Sequence, residues 1–73
     1  MKLLVLSGKE LIRILNRAGF ELDHVTGSHA ILRRRVPPHI RLTVPLHSEL
    51  AKGTLLTIMK SAGLTREDLE RMR

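Results

Sequence analysis

The chain has no cysteine, tryptophan or tyrosine, and Phe20 is its only aromatic residue. Without cysteine there are no disulfides and no thiolate metal sites. A reducing compartment fits that composition without being required by it. A single phenylalanine in a helix-to-strand junction reads as core, so no aromatic platform is expected on which splayed bases could stack. Long apolar runs are missing too, and no stretch reaches the length of a bilayer span. Leu3 to Leu6 follows Lys2 but is too short for the apolar region of a signal peptide. The expected location is the cytoplasm, with no membrane partner.

With 73 residues, the chain is expected to form one domain, 1–73, with no separate cofactor domain. A domain of this size buries only about 60% of the surface its unfolded chain exposes. A deep pocket is therefore not expected, and neither is a small-molecule cofactor. Any substrate would lie across the surface.

What the chain does have is positive charge. Thirteen Lys and Arg stand against seven Asp and Glu, a net charge of +6. That excess points to an anionic partner: nucleic acid, an acidic protein or a membrane surface. Charge alone does not choose among them, and a solvated basic surface would have the same composition.

Ser7-Gly8-Lys9-Glu10 has the form of a capping box, with Leu6 and Leu11 placed as a hydrophobic staple. Leu11, Ile14, Leu15 and Ala18 recur at helical spacing, and Gly19 follows as a stop. A first helix is predicted over about Gly8 to Ala18. Phe20 and Leu22 alternate with Glu21 and Asp23, which predicts a half-buried strand over Phe20 to Val25. Gly27-Ser28 then forms a tight turn into a second strand, His29 to Val36.

One face of that second strand carries Ala30, Leu32, Arg34 and Val36, and the other carries His29, Ile31, Arg33 and Arg35. The first set is the more apolar and is expected to face the core. His29, Arg33 and Arg35 would then share an open face. Pro37-Pro38 marks the second connection. Ile40, Leu42 and Val44 alternate with Arg41 and Thr43 in a third strand, which puts Arg41 and Thr43 beside His29. Pro45 ends the strand, and Leu46 to Ala51 reads as a loop.

Leu55, Leu56, Ile58, Met59 and Ala62 form a second helical stripe closed by Gly63, with Met59 in the core. Thr65 with Asp68, and Leu64 with Leu69, repeat the cap and staple before a short third helix over about Arg66 to Arg71. A helix, a three-stranded meander and a helix make an α+β, two-layer sandwich. The order is α-β-β-β-α, with an antiparallel sheet and the helices on one face.

At this point the chain resembles the HicA toxin family, small RNA-cleaving proteins of toxin–antitoxin pairs. The resemblance rests on Leu6-Ser7-Gly8-Lys9-Glu10-Leu11-Ile12, Ala18-Gly19-Phe20 and Gly27-Ser28-His29, then on Thr43-Val44-Pro45-Leu46-His47, Lys52-Gly53-Thr54-Leu55 and Ala62-Gly63-Leu64. Each motif is weak alone, but their joint order and spacing are specific. The resemblance implies a fold like the double-stranded-RNA-binding domain, metal-independent cleavage of mRNA and neutralisation by a HicB-type antitoxin. It places the active-site histidine at His29. Family members often carry a second histidine or another polar residue next, but this chain has Ala30, so activity should not hinge on a histidine pair there.

A neutral His29 has the chemistry of a general base for the ribose 2′-hydroxyl. The alternative is a turn histidine bonded only to backbone. Ser28 and His47 are candidate supports, His47 as general acid or positioning group, or else as a loop residue that contacts the antitoxin. Gly27, Arg33, Arg35, Arg41 and Lys52 are candidate RNA contacts, with Arg33, Arg35 or Lys52 stabilising charge on the phosphate. Gly53-Thr54 has backbone N–H groups that suit a phosphate or simply cap the helix. His24 and His39 read as ordinary surface histidines. The four histidines are 5, 10 and 8 residues apart with no His-Glu-x-x-His pattern, so no metal is expected. A binding module that holds RNA or DNA without cutting it is the main alternative function. A protein whose charge serves only an acidic partner is the third.

Overall fold

The structure is a computed structural model that describes residues 5–73. The start of the apolar run at Leu3 and the first residues of the expected domain lie outside the described residues. The elements are α1 (Gly8–Arg17), β1 (Phe20–Thr26), β2 (His29–Arg34), β3 (Arg41–Pro45), α2 (Lys52–Ala62) and α3 (Arg66–Met72). The three strands form one antiparallel sheet in the order β1-β2-β3. Phe20, Ala30, Leu32, Leu42 and Val44 are buried on one face of it. Helix α1 packs against β1 and β3, α2 against β3, and α3 against α1. This is the expected order, with both layers in place and one sheet face left open.

Local chemistry explains the helix ends. The Ser7 hydroxyl accepts from the Glu10 N–H at 3.1 Å, and the Glu10 carboxylate accepts from the Ser7 N–H at 2.9 Å. Leu6 and Leu11, the staple, are both fully buried. Thr65 and Asp68 repeat the reciprocal cap before α3. Helix α2 has no side-chain cap at its N-terminus. It ends on Gly63, whose φ of 73° lets the chain turn back without Cβ strain. Fully buried leucines from α1, β2 and α3 meet in one cluster, each contributing about 1.5–3 kcal/mol by leaving water.

Two expectations about burial fail. Leu22 pairs with Leu32 on the helical side of the sheet, yet it is half-exposed, and Phe20 is the only buried residue of β1. The reason is coverage: only Phe20 of β1 is buried under the helical layer, whereas β3, also an edge strand, is packed by both α1 and α2. Val36 was expected in the core but is 55% exposed. Strand β2 ends at Arg34, so Val36 belongs to the connection that passes through the cis Pro37–Pro38 bond.

Candidate active site

The site is built on the β1–β2 hairpin. Thr26 pairs with His29 across a two-residue turn, Gly27-Ser28. Gly27 has a φ of 58° and Ser28 has no positive φ. That combination matches the type II′ pattern, whose first central residue is glycine and whose twist suits a hairpin. His29 is therefore fixed as the first residue of the central strand, and it is exposed.

The register arranges the open face in rows. His29 lies between Thr26 and Pro45, Ile31 between His24 and Thr43, and Arg33 between Glu21 and Arg41. Ala30 and Leu32, on the opposite face, are buried. Ile31, the apolar member of the open face, is partly buried between its neighbours. The sheet thus brings His29, Arg33, Arg41 and Thr43 to one surface, as the alternation predicted.

Strand β1 contains a bulge. Leu22 pairs with Leu32 and His24 with Ile31, so Asp23 has no partner across the strand. The extra residue reverses the alternation after Leu22 and turns His24 to the open face. His24 Nδ1 donates to the Asp23 carboxylate at 2.9 Å, with both side chains about half-exposed. The sequence reading of His24 as an ordinary surface histidine did not anticipate this placement.

Arg35 does not join His29. It follows the end of β2, and its guanidinium donates to the Asn16 carbonyl at 3.3 Å, at the C-terminal turn of α1. Six residues of strand separate it from His29, about 20 Å. Lys52 is the first residue of α2 and is exposed. Arg33 shares the face of His29 but sits four residues along, about 13 Å away. That span suits a backbone phosphate farther along a bound strand. Of these candidate phosphate cations, the register keeps Arg33 on the face of His29, while Arg35 serves the end of α1 instead.

The loop after β3 closes the other side of the hairpin. The Leu46 N–H donates to the Ser28 carbonyl at 2.7 Å, and the Gly8 N–H donates to the His47 carbonyl at 2.9 Å. The backbone of Pro45-Leu46-His47 therefore runs between the hairpin turn and the start of α1. His47 is exposed in that loop. Gly8 is buried against it: a Cβ there would collide with the Pro45 carbonyl oxygen and stand 3.1 Å from Leu46 Cα. Sequence reasoning took Gly8 only as the first helical residue, because nothing local marks a contact with a strand end 37 residues later. His39 lies far from this corner, its Nδ1 donating to the Arg34 carbonyl at 3.0 Å. Gly53 and Thr54 lie in the first turn of α2, whose N-cap is Ala51.

Among the described residues, no three His, Asp or Glu side chains converge where a metal ion could be held. No described helix is long and apolar enough to cross a membrane.

A protein-family model described as the HicA toxin of bacterial toxin–antitoxin systems matches residues 8–64. That stretch contains α1, all three strands, α2 and the Gly27-Ser28-His29 turn. No curated protein matches the chain.

Proposed function

This chain belongs to the HicA toxin family and is the toxin of a toxin–antitoxin system; we propose that it acts as a metal-independent endoribonuclease on mRNA, with His29 as general base. The observation that carries this reading is the exposed imidazole at the first position of the central strand, on the open basic face. A base there takes the proton of a ribose 2′-hydroxyl, and the oxygen attacks the adjacent phosphorus. Proton transfer of this kind is typically worth about 10²- to 10⁴-fold. The need for a 2′-hydroxyl makes RNA the substrate and DNA at most a ligand. Arg33 and Arg41 hold the backbone of the bound strand. With no aromatic residue on the face, contact is to phosphate and sugar, and sequence preference is weak.

As the toxin of such a pair, the chain has an antitoxin partner, and we take that partner to be of the HicB type. Burial of His29 by the antitoxin would silence the site.

The test is cleavage of labelled RNA in EDTA by the wild type and His29→Ala. Cleavage by the wild type, lost in a folded variant that still binds RNA, is the expected result. Binding without cleavage by both proteins would instead establish a non-catalytic RNA- or DNA-binding module on the same basic face. Equal cleavage by both would remove His29 from the mechanism.

A further inference from the structure

We propose that His24, oriented by Asp23, is the general acid that protonates the leaving group while His29 acts as base. The proposal rests on the nuclease reading above and assigns its second proton transfer. It starts from the bulge. In a regular strand, the alternation that puts Leu22 on the helical face would put Asp23 on the open face and His24 with the helices. The unpaired residue at Asp23 shifts His24 to the open face, opposite Ile31, while His29 stands opposite Thr26. The two imidazoles are thus diagonal neighbours on one face of adjacent strands, with Cβ atoms about 7 Å apart.

The hydrogen bond to Asp23 fixes which nitrogen is available. His24 Nδ1 carries the proton donated to the carboxylate, so Nε2 is left to face substrate. An acid of this kind must be protonated before the reaction. The same pair as a stability device would be worth little, because both side chains are about half-exposed. The other charged groups on the face are Glu21 from β1, Arg33 from β2 and Arg41 from β3, all in the row beyond Ile31.

The step balances. The 2′-hydroxyl proton passes to His29 and the 2′-oxygen–phosphorus bond forms. The bond from phosphorus to the 5′-oxygen breaks, and that oxygen takes its proton from His24 Nε2. The products are a 2′,3′-cyclic phosphate and a 5′-hydroxyl. His29 ends protonated and His24 neutral, and exchange with water restores both.

The experiment compares two RNA substrates, one with an ordinary linkage and one with sulfur in place of the bridging 5′-oxygen. Sulfur leaves without a proton, so it needs no acid. His24→Ala should cut the ordinary linkage about 10²-fold more slowly or worse, and the deficit should close on the sulfur linkage. His29→Ala should be defective on both. The wild-type pH–rate profile should fall on both sides, and His24→Ala should lose the alkaline limb alone, since the acid must be protonated and the base must not be. Asp23→Asn should show the same selective deficit in smaller measure. His24→Gln, with folding checked by circular dichroism, guards against a misfolded alanine variant. If His24→Ala and His24→Gln match the wild type on the ordinary linkage, or lose equally on both, the assignment to His24 is wrong. If the wild type cuts neither substrate, the nuclease reading itself fails and takes this proposal with it.

Discussion

Gly8 lies against the carbonyl of Pro45, and Pro45 is the cross-strand partner of His29. The first turn of α1 and the first residue of the central strand are therefore joined through one close backbone contact. Any Cβ at position 8 pushes the two apart. Gly8→Ala should destabilise the fold by about 1–3 kcal/mol, as overpacking does. RNA cleavage should fall further than RNA binding, since the phosphate contacts at Arg33 and Arg41 lie away from that corner. Thermal unfolding, a cleavage assay and a binding titration on one preparation check both claims.

Arg33 and Arg41 stand directly opposite each other on β2 and β3. Like charges so placed destabilise a sheet. Arg41→Ala should therefore raise stability slightly while weakening RNA binding. For single-stranded RNA, losing one phosphate contact should reduce the slope of log K against log salt by about 0.7. Arg35→Ala should move that slope less and lower the melting temperature instead, because its guanidinium serves the Asn16 carbonyl.

Glu10 and Asp68 hold their carboxyl groups below the ordinary values of 4.5 and 3.8. For Glu10 the main cause is the hydrogen bond from the Ser7 backbone, followed by the Ser7 hydroxyl. For Asp68 it is the Thr65 backbone, followed by the Thr65 hydroxyl and then Arg71. Folding lowers both pKa values, so the native state binds these protons less readily than the unfolded chain. Their stabilisation is complete above the ordinary values and is lost as pH falls through the lower folded ones. Urea midpoints measured from neutrality down through the carboxylate range should fall in that window. Ser7→Ala should flatten part of the decline and cost about 1 kcal/mol at neutral pH.

Leu32 is fully buried at the centre of β2, between Leu22 and Leu42 on the helical face. Leu32→Ala should cost about 2–5 kcal/mol. Native domains have only about 5–15 kcal/mol in total, and small ones sit low in that range. The variant should be largely unfolded at growth temperature, with lost helical circular dichroism and lost toxicity together. By contrast, His29→Ala should abolish toxicity with a melting temperature close to that of the wild type, because the ring is exposed.

Helix α1 was legible residue by residue, since a capping box and a staple are made by groups a few positions apart. The hairpin turn was legible for the same reason: Gly27 alone supplies the positive φ. Alternation in β2 and β3 separated Ala30, Leu32, Leu42 and Val44 from His29, Arg33, Arg41 and Thr43, and the sheet honours that division. Strand β1 defied the same reasoning. Its alternation breaks at Asp23, and no residue type there announces a bulge.

What the sequence by itself determined is everything encoded within about one turn of helix or one strand: the caps, the turn, the faces of β2 and β3 and the basic excess. What only the tertiary structure decided is which of those pieces meet. The pairing of β1 with β2 brought His24 to the face of His29, the end of β2 sent Arg35 to α1, and chain closure pressed Gly8 against Pro45. Each of these depends on two segments finding each other in space. A local pattern carries the preferences of one segment and cannot carry the register between two.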